Sequence, residues 1–344
     1  MPARTLFKVY STFFLLFLFQ LNIAIGQETP RLKTIFEYLT PEEGSKFTLE
    51  TDLTTLLENR RSTEYTPAVL TLENGKSFQV RVVPKGKYRR KVAEIPPLKI
   101  KFPKKALAAE GLDTLNEVKL VLPCYESEAG DELIVKEYLI YKMFEHLTSA
   151  CVRARLVRVT LRDNHVEKFS RKMYALLVED NEETAARLNG YEIEQFGMPV
   201  DSMVTQQVAM VALFEYMIGN TDWDIPMIRN LRLIRSKMSS RVLVIPYDFD
   251  FSGLVAAPYA SPSSESGLHT VRDRFLMANG IPQEALRRAV QILKSAQKDL
   301  YAICRSKYLS RPATDDMIYY LDTFFLMIDK NNDVPGRMNV PVSD

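Results

Sequence analysis

Between Phe47 and Leu122 the chain returns repeatedly to short runs in which apolar and polar residues alternate, and this two-residue period constrains the fold more than any other feature. Alternation sends successive side chains to opposite faces, the geometry of a strand half buried in a sheet. Phe47-Thr48-Leu49-Glu50-Thr51 is one such run. Ala68-Val69-Leu70-Thr71-Leu72 and Phe78-Gln79-Val80-Arg81-Val82 flank Glu73-Asn74-Gly75-Lys76, which predicts a hairpin across a Gly-containing turn. Leu98–Phe102 follows Pro96-Pro97, and Glu117–Leu122 repeats the pattern. This half is expected to be mostly antiparallel sheet.

The period changes at Asp131. Leu133, Ile134, Glu137, Tyr138, Tyr141 and Leu147 fall at steps of three and four, with acidic residues at the start and His146 at the end, which predicts a helix. Two strands follow, over Val157–Leu161 and Met173–Val178. After Asn181 helices are expected at about 201–218, 282–303 and 313–329, interrupted by one strand pair around Leu231–Ile234 and Val242–Ile245. The pattern predicts a two-lobed α+β layout: a linker or arm over 27–45, a β-rich N-lobe over 46–180, a mainly helical C-lobe over 181–335, and a tail over 336–344.

The most informative segment is Gly219-Asn220-Thr221-Asp222-Trp223-Asp224, then Asn230, then Ile245-Pro246-Tyr247-Asp248-Phe249-Asp250. A helix ending at Gly219 leaves Asp222 in the following turn. Asn230 opens one strand of the hairpin and Asp248 leaves the other, so Asp222, Asn230 and Asp248 converge on one edge. Phosphoryl transfer needs such a set: one carboxylate receives the hydroxyl proton, while an amide oxygen and a second carboxylate hold magnesium on the phosphates. Asp and Asn also populate turns and caps for purely structural reasons.

The Asn-Thr-Asp…Asn segment followed by Pro-Tyr-Asp-Phe-Asp resembles the spore-coat protein H (CotH) kinases and, more distantly, the HipA-type branch of the protein-kinase-like fold. The resemblance covers roughly residues 65–260 and implies a two-lobed protein-kinase-like fold with ATP and Mg2+ as cofactors. It implies that Asp222 is the catalytic aspartate, with Asp224 as rival, and that Asn230 and Asp248, with Asp250 beside it, hold metal. Lys119, or else Lys101, would contact phosphate, with Glu137 as the lysine's partner. Tyr174–Asp180, including Glu179, looks like the strand entering the nucleotide-binding hinge. A Gly-x-Gly-x-x-Gly loop is missing, and only Gly86 in Pro84–Arg90 could bend near phosphates.

Two alternatives stand beside this one. Asp248-Phe249-Asp250 also looks like the Asp-x-Asp motif of haloacid-dehalogenase-type phosphatases, with Asp248 as nucleophile and Asp250 as acid/base. A non-catalytic exported scaffold, binding calcium or nothing at its acidic cluster, is the other. The acceptor of a kinase would be a protein or small hydroxyl compound; a net charge of +2 argues against nucleic acid. Cys124, Cys151 and Cys304 lack metal-site spacing and read as buried free thiols.

Arg4 and Lys8, the run Phe13–Phe19 and the small-residue close Ala24-Ile25-Gly26 have the order of a cleavable secretory signal. The expectation is export, to the periplasm or beyond, without a stable transmembrane anchor. Amino-terminal sequencing of the mature protein should start close to Gln27; an intact Met1 on cytoplasmic material would end this reading.

Overall fold

The two-residue period is realised as a barrel. The computed structural model describes residues 31–125, 127–166 and 169–331, so the signal-peptide reading of residues 1–26 lies outside the described residues. The barrel strands are β1 (Ser45–Thr51), β2 (Thr66–Leu72), β3 (Ser77–Pro84), β4 (Leu98–Lys101), β5 (Glu117–Val121), β6 (Ala154–Asp163) and β7 (Ser170–Glu179). They follow the order β1-β2-β3-β4-β5-β7-β6, and β6 returns to β1 to close the ring. The β2–β3 hairpin has the expected register, with Leu70 opposite Phe78. Every pairing is antiparallel except the closing one, where Phe47 lies beside Val159 in a parallel pair.

Short helices occupy the barrel's connections and rim: α1 (Ile35–Leu39), α2 (Leu53–Glu58), α3 (Arg89–Val92) and α4 (Lys104–Ala109). The first lies inside the segment expected as an arm, where Thr34 and Glu37 cap its start reciprocally. The long helix α5 (Glu128–Leu147) begins three residues before the expected Asp131, because the Ser127 hydroxyl accepts from the Gly130 N–H at 3.0 Å. Beyond the barrel come α6 (Asn181–Arg187), β8 (Gly190–Glu192), α7 (Thr205–Ile218), β9 (Leu231–Ser236), β10 (Val242–Pro246), α8 (Gln283–Cys304) and α9 (Arg311–Asn331). Strands β10, β9 and β8 form a separate antiparallel sheet.

This architecture overturns the expected two-lobed protein-kinase-like fold with a β-rich N-lobe and a mainly helical C-lobe. The first-half strands form a closed barrel and not a separate lobe's sheet, because β1 pairs with β6 in parallel and buries what would have been an edge. The second half carries a three-stranded sheet as well as helices, and the described residues from Lys33 onward form one compact unit. Among the described residues, no helix is long and apolar enough to cross a membrane.

Two apolar clusters hold the unit together. The barrel interior packs Leu49, Leu70, Val82, Ile100, Leu120, Val157 and Leu177. The larger cluster joins Leu156, Leu176 and Val178, on the outer faces of β6 and β7, to α5, α7, α8, α9 and the small sheet. Helix α7 is apolar all round and buried from Gln207 to Ile218, as a central helix must be. Cys124, Cys151 and Cys304 are free and buried.

Helix α7 ends at Gly219, whose φ of +68° is left-handed backbone that favours glycine. A Cβ there would collide with the Tyr320 hydroxyl of α9. Gly219→Ala is therefore expected to cost about 2–4 kcal/mol from the left-handed conformation and overpacking together. Thermal unfolding should show the midpoint several degrees lower.

Candidate active site

The site is assembled where α5, α7 and the β9–β10 hairpin meet the barrel. After Gly219 the chain makes a tight turn in which the Asn220 side-chain oxygen accepts from the Asp222 N–H at 2.9 Å. The hairpin register sets Leu231 opposite Pro246, and the Tyr247 N–H donates to the Asn230 carbonyl at 3.0 Å, extending the ladder by one pair. Asp248 follows with φ +65°, its N–H donating to the Tyr141 hydroxyl of α5 at 2.8 Å, and Asp250 lies in the next turn. Asn230 has φ +51°. Left-handed Asn and Asp are the least strained non-glycine choices there, and such conformations concentrate at functional sites.

The hairpin and α5 bring three carboxylates together: Glu137, Asp248 and Asp250 offer oxygens within 4.8 Å of one another. Buried like charges need compensation, and two cations supply it. Arg89 of α3, 6% exposed, donates through Nε to Asp250 Oδ2 at 2.8 Å and through Nη2 to Glu137 Oε2 at 2.5 Å. Lys119 of β5 lies 3.5 Å from Asp248 Oδ1 and faces the Tyr247 ring. Burial pushes Glu137 up to about 7, with Asp250 and Asp248 adding to the rise and Arg89 opposing it. Asp250 is raised by burial, and the Asp248 charge reinforces it against Arg89. Asp248 goes the other way: burial opposes ionisation, yet Lys119 and Arg89 hold it below the usual carboxylate range.

Asp222 stands beside this cluster. The Asn230 amide donates to both the Asp222 carbonyl, at 2.6 Å, and Asp222 Oδ2, at 2.9 Å, locking the carboxylate to the hairpin. Burial raises the Asp222 carboxyl, the Asn230 bond and Arg229 lower it, and Asp250 and Asp248 raise it again. Its electrostatic coupling to both acids places it within their field. Arg89 Nη1 and Glu137 Oε1 are buried without a hydrogen-bond partner among the described residues. Unused polar capacity of this kind calls for a ligand or solvent. A hard, all-oxygen donor set suits Mg2+, so the residues fit that ion.

Six of the residues expected from sequence thus converge: Asp222, Asn230, Asp248, Asp250, Glu137 and Lys119. Lys119 faces Asp248 rather than Glu137, whose cation is Arg89. Lys101 pairs with Glu117 at 2.6 Å, on the stretch of β4–β5 where Lys99 also lies. Glu179, fully buried, is committed to Arg153 at 2.8 Å and Arg187 at 2.6 Å in an ion network. Asp224 caps its own turn, accepting from the Met227 N–H at 2.6 Å. Asp248 and Asp250 leave an antiparallel sheet and, among the described residues, no strand follows β10. The alternating strands and helices required by the phosphatase alternative do not occur there.

Sequence reasoning missed Arg89, Tyr141 and Glu215. Arg89 sits in the basic run Lys87–Lys91, which looks like a solvated face. Glu215 had a signal: it is the one acid in the apolar stretch Val208–Ile218. No family model matches this sequence, so the expected spore-coat family is not confirmed, and no curated protein matches it. Among solved structures, the Helicobacter pylori proinflammatory kinase CtkA is similar over 69% of this chain and 91% of its own, at 9% identity and a TM-score of 0.36. A likeness that distant assigns no role to any residue.

Glu215 is fully buried, neither carboxylate oxygen has a hydrogen-bond partner among the described residues, and burial pushes it up to about 8. The neighbouring Asn220 side chain acts against the rise, and the Asp222 charge adds to it. A carboxyl that binds its proton more tightly when folded contributes stability that is complete below about pH 4.5 and is lost as pH rises toward 8. Unfolding in denaturant should therefore show stability falling across this range. Glu215→Gln should flatten the slope and gain at least about 2 kcal/mol at pH 8; an unchanged slope would contradict the assignment.

Proposed function

We propose that this chain is a magnesium-dependent phosphotransferase, an exported kinase-like enzyme that moves phosphate from ATP to a hydroxyl on a protein or small molecule. One observation carries the reading: two buried carboxylates and a third, half-exposed one with a lysine beside it stand next to an aspartate locked in place by an asparagine. Magnesium-ATP, when bound, supplies the electrophilic phosphoryl group and the metal that screens its charge. Asp248, Asp250 and Glu137 would be the oxygen donors for the metal. Lys119, already neutralising Asp248, is placed to meet phosphate oxygens.

Asn230 spends its amide N–H groups on Asp222, which leaves its side-chain oxygen as an acceptor or metal ligand and holds Asp222 in one rotamer. Asp222 then orients the acceptor hydroxyl and takes its proton, a role helped by the upward shift that burial produces. Asp224 is left with turn capping. A second reading, a binding scaffold without transfer, is favoured by Arg89, which already neutralises two of the three carboxylates. On that reading the wild-type protein would show no magnesium-dependent nucleotide binding in calorimetry.

The enzymatic reading expects two separable losses. Asp248→Asn should abolish magnesium-dependent ATP binding while melting remains cooperative; unchanged binding would move the metal elsewhere. Asp222→Asn should lower phosphate transfer by about 10²–10⁴-fold with nucleotide affinity nearly constant. Asp224→Asn should change transfer little, and a large loss there would exchange the two roles. Radiolabelled transfer from ATP into cell-envelope extract is the measurement.

A further inference from the structure

The turn that carries Asp222 has a second side. Thr221, Trp223 and Ile225 line a cavity of about 400 Å³, together with Leu276 and Met277 from the segment before α8. Asp222 is not among its lining residues, its carboxylate being bound by Asn230. The cavity falls in the size range of small-molecule sites, which are mostly apolar with few polar anchors. Its two walls are clamped together, because the Ser263 N–H donates to the Thr221 hydroxyl at 3.0 Å. Two charged groups reach it, Asp224 and Arg229.

These two charges are not equivalent. The Asp224 carboxylate accepts the Met227 N–H at 2.6 Å. The half-buried Arg229 guanidinium makes no hydrogen bond or ion pair with any described residue, and it interacts electrostatically with Asp222 across the turn. A guanidinium carries five N–H donors in a fixed fork suited to carboxylate or phosphate oxygens. A chamber with an apolar wall of Trp223, Leu276 and Met277 and a guanidinium fork free of hydrogen bonds to described residues is complementary to a molecule having an apolar body and one compact anionic head.

We propose that this cavity is a binding site for a small amphipathic anion, its apolar body against Trp223, Leu276 and Met277 and its head on Arg229. This site does not depend on the nucleotide chemistry proposed above and is tested without ATP. Three probes of matched shape separate the contributions: 3-phenylpropionate, 3-phenylpropan-1-ol and 3-phenylpropylamine, titrated into the full-length protein by ligand-observed NMR. The propionate should bind about five- to tenfold more tightly than the alcohol, the effect of one partly exposed charge pair.

Arg229→Gln, at a side chain with no hydrogen-bond partner to lose, should erase that preference while leaving alcohol binding intact. Met277→Trp should fill the chamber and remove all three. Binding of the amine as tight as that of the propionate would assign the cavity to Asp224 and overturn the proposal. Failure of all three probes, or propionate binding indifferent to Arg229→Gln, would overturn it equally.

Discussion

Two buried carboxylates and a half-exposed third cannot lie within 4.8 Å of one another unless cations join them, and the region around Glu137, Asp248 and Asp250 is organised by that requirement. Arg89 arrives from the β3–β4 connection and Lys119 from β5, while the acids arrive from α5 and the hairpin exit. The electrostatic demand therefore ties the barrel to the helical part of the unit at one point. Removing one partner from a buried pair costs about 3–5 kcal/mol, because the other charge is then left uncompensated. The shifts follow the same logic: the acid closest to Lys119 stays ionised, and those farther from it hold their protons more tightly.

A second ion network ties the barrel to the rest of the unit one register position from Lys119, where Glu179 of β7 lies opposite Val118 of β5. Arg153 binds Glu37, Glu179 and Glu183 at 2.7–2.9 Å, joining α1, the end of β7 and α6. Arg232 of β9 donates to the Glu179 carbonyl at 3.3 Å, which draws the small sheet onto the same junction. The hairpin that presents Asn230 and Asp248 is thus also held through Arg232, whose guanidinium faces the Tyr247 ring at 5.2 Å. The other wall is α9, where Tyr320 packs against Gly219 and accepts the Arg274 guanidinium over its ring at 3.8 Å. The Asp222 turn is therefore fixed between a helix C-cap, a hairpin and an aromatic wall, the rigid support a positioned carboxylate requires.

Legibility from sequence varied with the range of the interaction involved. The β2–β3 hairpin, α5, α7, α8, α9 and the β9–β10 pair were visible because their signals are local: a period of two or 3.6, a turn glycine, a capping residue. The capping box at Thr34–Glu37 was equally local, but the polar, Pro-bearing character of residues 27–45 obscured it. Strand β8 is only three residues long and has no period to detect. In the site, the acidic residues were legible because turn and strand-exit positions follow from neighbouring residues. Their partners were not: a lysine on a strand alternates in or out, and nothing in the alternation says which acid it will face.

By itself the sequence determined the strand and helix segments, the glycine that ends α7, and the order in which Asp222, Asn230, Asp248 and Asp250 reach the hairpin edge, since each depends on contacts within a few residues. Tertiary structure alone decided that β1 pairs with β6, which follows it by about 110 residues, and so closed the expected antiparallel sheet into a barrel. It also decided that Arg89, and not Lys119, faces Glu137, and that Glu179 serves an ion network. Those choices depend on which distant faces can be buried together and which charges must be compensated there, and no local pattern encodes either.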